Sequence, residues 1–158
     1  LEFELSAGNI AIGTYTLLYI TLPEGWGVTR AESPPDVYYT ILKGGGAWVK
    51  MGEASYYLVN RVRGEVVGLD VRCRPLEGWR PRRDMVGSIQ VNTHQAYIKR
   101  VLLKPGLFRR RELHELQLVV PCRDTERVLE VRFTGQGEGI DEIAPQISSL
   151  RCHNPQPG

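Results

Sequence analysis

Alternation with a period of two runs through most of this chain, and it restricts the fold more than any other feature. Val67, Leu69, Val71 and Cys73 alternate with Val66, Gly68, Asp70 and Arg72. His114, Leu116, Leu118 and Val120 alternate with Leu113, Glu115, Gln117 and Val119. Leu129, Val131 and Phe133 alternate with Glu130, Arg132 and Thr134. Successive side chains of a strand point to opposite faces, so each pattern predicts a strand with one buried face. Further strands are expected at 14–22, 37–42, 47–51 and 86–103. The last is too long for one ordinary strand and is expected to bend near residues 92–94. Turn residues separate these runs: Pro23-Glu24-Gly25, Ser33-Pro34-Pro35-Asp36, Gly44-Gly45-Gly46 and Lys104-Pro105-Gly106.

Two segments have helical spacing. In 142–152, Asp141 can cap and Ile143, Ile147 and Leu150 form one apolar stripe, with Pro145 in the tolerated first turn. In 53–63, Ala54, Tyr57, Leu58 and Arg61 share a helical face, but Tyr56-Tyr57-Leu58-Val59 is equally good strand. The chain of 158 residues shows no internal repeat and no dividing linker, which fits a single domain over 1–158. The fold class expected is α+β: an antiparallel sheet of about six to seven strands flanked by helices, with the C-terminal helix packed on the sheet.

Charge is unevenly spread. From Arg72 to Arg111 there are eleven Lys or Arg and only two acids, Glu77 and Asp84, although the whole chain carries +2. Two clusters stand out: Trp79-Arg80-Pro81-Arg82-Arg83 and Phe108-Arg109-Arg110-Arg111. Three arginines beside a large aromatic suit an interface anchor, and can steer an acidic protein partner toward one face. The same residues can stack on exposed bases, which makes single-stranded nucleic acid the alternative partner. A pI of about 8.5 lies below the value above ~9 common in dedicated nucleic-acid binders. If 86–103 bends into a hairpin, the two basic loops are expected to converge.

Sixteen arginines against four lysines, with few asparagines, lean toward a thermophilic source. The most apolar run, 10–22, contains Gly13, Thr14, Thr16 and Thr21, so no segment resembles a membrane-spanning helix of about 20 apolar residues. No charged n-region precedes that run, so no signal peptide is evident. The chain begins at Leu1 rather than Met, which points to something removed upstream. A cytoplasmic location is favoured, with the native N-terminus out of sight.

Cys73, Cys122 and Cys152 make no CxxC pair. Cys122 ends the 113–121 strand. A helix of eleven residues covers roughly 16 Å and so returns Cys152 along the following strand toward Cys122. Three states are open: two separate buried thiols, a disulfide, or a metal site. The Cys122–Cys152 disulfide would close about 30 residues, a stabilisation of about 3–4 kcal/mol. The metal site would use Cys122, Cys152 and His153, with His94 or Cys73 as fourth ligand. His94 alternatively serves as a structural histidine at the bend. His114, in Glu112-Leu113-His114-Glu115-Leu116, lacks the second histidine of HExxH, because position 118 is Leu118. No nucleophile elbow, P-loop or dinucleotide fingerprint is present, and Gly135-Gln136-Gly137-Glu138-Gly139 reads as a strand-to-helix connector whose acids repel phosphate. The expected catalytic and cofactor residues are therefore none.

Tyr19-Ile20-Thr21-Leu22-Pro23-Glu24-Gly25-Trp26, Val91-Asn92-Thr93-His94-Gln95-Ala96-Tyr97 and Arg127-Val128-Leu129-Glu130-Val131-Arg132-Phe133, with the later Ile147-Ser148-Ser149-Leu150, resemble segments of the PsbP/Mog-like fold family. Thr93 stands where that family more often has Gly. The resemblance covers about a quarter of the chain. It implies an antiparallel sheet with helices and a non-enzymatic binding role, and it carries over no catalytic residue. The function expected is a non-enzymatic binding or adaptor domain for an acidic partner.

Overall fold

Seven strands hydrogen-bond into one antiparallel sheet, and a separate two-stranded hairpin lies over it. The computed structural model describes residues 1–9, 13–30, 52–85, 87–106 and 111–153. The strands expected at 37–42 and 47–51 fall outside these residues. In chain order the elements are β1 (Glu2–Asn9), β2 (Gly13–Thr21), β3 (Trp26–Arg30), β4 (Gly52–Asn60), β5 (Val66–Pro75), β6 (Gly87–Val91), β7 (His94–Leu103), β8 (Leu113–Cys122), β9 (Arg127–Gly135) and α1 (Gly137–Ile143). A 3-10 helix (Ala144–Ser149) continues α1. The sheet order is β3-β4-β5-β9-β8-β7-β6, so β9 returns between β5 and β8.

The period-two pattern sets which face is covered. Val71, Val131 and Leu118 are cross-strand neighbours on β5, β9 and β8, as are Leu69, Phe133 and Leu116. All six are buried. Leu5, Leu17, Leu18 and Ile20 of the hairpin, and Ile140, Ile143 and Ile147 of the C-terminal helices, belong to the same buried cluster. The opposite face is a ladder of charges. Glu53, Arg72 and Glu130 lie opposite one another, and so do Ser55, Asp70, Arg132 and Gln117. Arg132 reaches Asp70 at 3.1 Å and Arg72 reaches Glu53 at 3.3 Å.

The molecule is therefore mostly β, with helices on one side at the C-terminus rather than flanking the sheet. The alternative left open over 53–63 is decided, and the expected C-terminal helix is corrected. Residues 53–63 do not form a helix: β4 buries Ala54, Tyr56 and Leu58 and exposes Ser55 and Tyr57, so cross-strand pairing overrides helical spacing. The C-terminal helix starts at Gly137, five residues before the expected start at Glu142. Gly137 and Gly139 lie inside it rather than in a connector. A Cβ at Gly139 would stand 3.0 Å from Val67 Cγ2, so the helix approaches the sheet closely because of its glycines. Asp141 is not the cap; it lies within α1, and Arg100 donates to its carboxylate at 2.6 Å. Pro145 lacks an amide proton and crowds the preceding turn, which places the α to 3-10 change beside it.

The long segment 86–103 does bend. Gly87–Val91 and His94–Leu103 pair as a hairpin, Val91 opposite His94, with Asn92 left-handed at φ 54° in the turn. The Asn92 amide donates to Ser148 O at 2.8 Å, tying this turn to the 3-10 helix.

Candidate metal centre

Three separate pieces of chain meet at one end of the sheet. His94 opens β7 immediately after the hairpin turn. Cys122 closes β8. Cys152 and His153 follow the 3-10 helix, and their position is set by backbone bonds. Tyr19 N donates to Arg151 O at 2.8 Å and Arg151 N donates to Tyr19 O at 3.0 Å. Buried Arg127 completes the anchor by donating to Thr16 O, Leu17 O and Cys152 O at 3.1, 2.6 and 2.7 Å.

One ligand atom from each of His94, Cys122, Cys152 and His153 lies within 4.8 Å of all the others. The two Nε2 atoms are 3.4 Å apart, and Cys122 Sγ is 3.7 Å from His94 Nε2. Tetrahedral zinc, with bonds of about 2.0–2.1 Å to nitrogen and 2.3 Å to sulfur, needs edges of roughly 3.4 Å (N–N) and 3.6 Å (N–S). Those two edges are already in place. The two sulfurs stand 2.7 Å apart as free thiols, and this edge must open by about 1 Å to admit the ion. Cys122 and Cys152 are buried, whereas the histidines are half-buried. Asp124 Oδ2 lies 3.1 Å from His153 Nε2 and 3.5 Å from His94 Nε2, adding negative charge at the rim.

Electrostatics already favour one thiolate. The hydrogen bond from Cys152, helped by Thr125 and the nearby His94 and opposed by burial, pulls the Cys122 thiol down to about 5. Cys152, donor in that bond and buried, is pushed well above the ordinary thiol range. Both directions come from the close contact of the two sulfurs, which lowers Cys122 and raises Cys152. Burial lowers the Arg127 guanidinium, while the sulfurs of Cys73, Cys152 and Cys122 favour its charge.

Cys73 is not part of this group; it is buried opposite Leu129, and burial raises its thiol. Of the two fourth ligands considered from sequence, His94 is the one in place. His114 lies in β8 and its Nδ1 accepts from Arg100 Nε at 3.2 Å, a structural contact. The first basic cluster sits close by. Trp79 packs against Tyr97 with ring centroids 6.1 Å apart, and Arg80 shares a groove with Arg123 and Asp124. Arg82 pairs with Asp84 at 3.6 Å, and Arg83 is exposed. Arg111 is exposed two residues before β8, at the opposite end of that strand from Cys122, so it is not brought to this groove. Phe108, Arg109 and Arg110 lie outside the described residues. Sequence reasoning missed Asp124 and Arg123, which carry no motif, and gave Tyr97 no site role; all three gain meaning only from strand register.

No family model matches the chain, and no curated protein matches it. A crystal structure of a protein from Bacteroides thetaiotaomicron VPI-5482 is similar over 87% of this chain, with TM-score 0.49 and 10% identity. The chain spans about half the length of that protein, 46%.

Proposed function

We propose that this chain is a non-enzymatic binding module whose C-terminal segment is clasped to its sheet by Zn²⁺ held by His94, Cys122, Cys152 and His153. The carrying observation is the convergence of these four donors from β7, β8 and the C-terminal segment. Two sulfurs and two imidazole nitrogens suit zinc, and four protein ligands fill its tetrahedral shell with no position left for a substrate. A structural role follows, with the ion fastening the C-terminal segment to the sheet. The PsbP/Mog-like resemblance of the sequence supports the same non-enzymatic reading.

Metal analysis of protein purified under reducing conditions, with a Co²⁺ titration followed by absorption, tests this. One zinc per chain and intense thiolate-to-cobalt bands are expected, both lost in Cys152→Ser and in His94→Ala. Absence of bound metal, together with two thiols missing from the denatured non-reduced protein, would replace the clasp by a Cys122–Cys152 disulfide.

A further inference from the structure

A groove of about 870 Å³ lies beside the cluster, between the turn before β6, the start of β7 and the end of β8. Gly78, at φ +78°, closes the turn in which Trp79 N donates to Leu76 O at 3.0 Å. That turn sets the indole against Tyr97, the two planes tilted by 49°. Arg80 and Arg123 line the groove and are exposed. Among the described residues no carboxylate pairs with either. This sets them apart from Arg72, Arg74 and Arg132, whose charges are paired with Glu53, Glu130 and Asp70 on the open sheet face. Asp124, the acid lining the groove, is turned to the two histidines.

We propose that this groove binds an acidic peptide segment, with Arg80 and Arg123 taking its carboxylates and Trp79 and Tyr97 covering its apolar atoms. Two unpaired guanidiniums favour an anion that can accept paired hydrogen bonds. The groove volume falls in the ~300–1,000 Å³ range of ligand sites, but such sites bury most of a small molecule. Here Gly78, Arg80, Pro81, Thr93, Gln95 and Arg123 are all exposed, so a small ligand would stay largely wet while an extended chain can run through. The two rings pack on each other, which leaves no slot between them for a base. His94 also lines the groove, but the two arginines and two rings that carry the proposal are not among the zinc ligands, so the inference goes beyond the zinc reading.

Fluorescence anisotropy with a fluorescein-labelled hexaglutamate peptide, at low and moderate salt, tests it. Binding is expected to weaken about ten-fold in the Arg80→Ser/Arg123→Ser double variant and to weaken in Trp79→Ala. Arg83→Ser, on the same loop outside the groove, should stay within about two-fold of the parent. No binding at low salt overturns the proposal. Equal loss in Arg83→Ser also overturns it, since the anion would then be sensing diffuse charge. Tighter binding of a labelled twelve-residue oligothymidine than of hexaglutamate would assign the groove to nucleic acid instead. Each arm is repeated on chelator-treated protein of measured zinc content. The arginine dependence is expected in both forms, so failure of the zinc reading leaves this outcome readable.

Discussion

Arg127 has no counterpart in the sequence pattern, because it occupies a core-facing position of β9 where Leu129, Val131 and Phe133 follow. Its charge is retained there by three carbonyls and by the sulfurs around it. Removing it strands the Leu17 and Cys152 carbonyls away from water. Arg127→Met is expected to cost about 3–5 kcal/mol, seen as a lower midpoint in urea unfolding. A loss below about 1 kcal/mol would mean that water or other donors satisfy the carbonyls. The cysteine pair makes a separate prediction. Cys122 is a thiolate above about 5, while Cys152 keeps its proton far higher. Zinc needs both sulfurs deprotonated, so affinity rises with pH. Uptake at pH 7 should release about one thiol proton per ion rather than two. Ultraviolet thiolate absorbance of the metal-free protein at pH 7 counts the ionised thiols directly; absence of a thiolate would show Cys122 protonated and two thiol protons to be released.

At the scale of elements, adjacent residues of β8 should behave oppositely. Leu118 is fully buried against Val131, whereas Gln117 lies on the charged face beside Arg132. Leu118→Ala is expected to cost about 2–5 kcal/mol and Gln117→Ala about 0.5 kcal/mol or less, by chemical denaturation. This contrast is what the sequence pattern encodes, and it is why β5, β8 and β9 were legible as strands. The bend at residues 92–94 was legible from length alone. The start of α1 was not, since Gly137 and Gly139 read as a loop until Val67 and His114 are found packed against them. Nor was β4 separable from a helix, because its choice rests on partners β3 and β5. For the cluster, the residue types and the approach of Cys152 to Cys122 could be read in advance. His94 could not be preferred to Cys73, because its place depends on a hairpin turn tied to the 3-10 helix.

For the whole molecule, the proposed clasp would join segments that are distant in sequence, β7, β8 and the C-terminal residues. Bonds that hold the 3-10 helix and residues 151–153 to the rest include the Tyr19–Arg151 bridge, the Asn92–Ser148 bond, Arg127, the Arg151–Glu2 ion pair, Arg151 over the Tyr19 ring and the packing of Ile147 and Leu150. An ion bound by the folded state alone stabilises it by mass action, about 4 kcal/mol when free zinc is a thousand times Kd. For a domain of this size, each kcal/mol moves Tm by roughly 2–4 °C. Chelation should therefore lower the Tm of the parent protein by about 8–16 °C. It should leave Cys152→Ser, which cannot complete the site, unchanged. The loss should be local before it is global: hydrogen exchange at residues 147–153 should rise on chelation while β5, β8 and β9 stay protected. An equal chelator effect on parent and variant would show that the ion acts elsewhere. Uniform loss of protection across the sheet would show that the metal is needed by the whole fold rather than by its C-terminal closure.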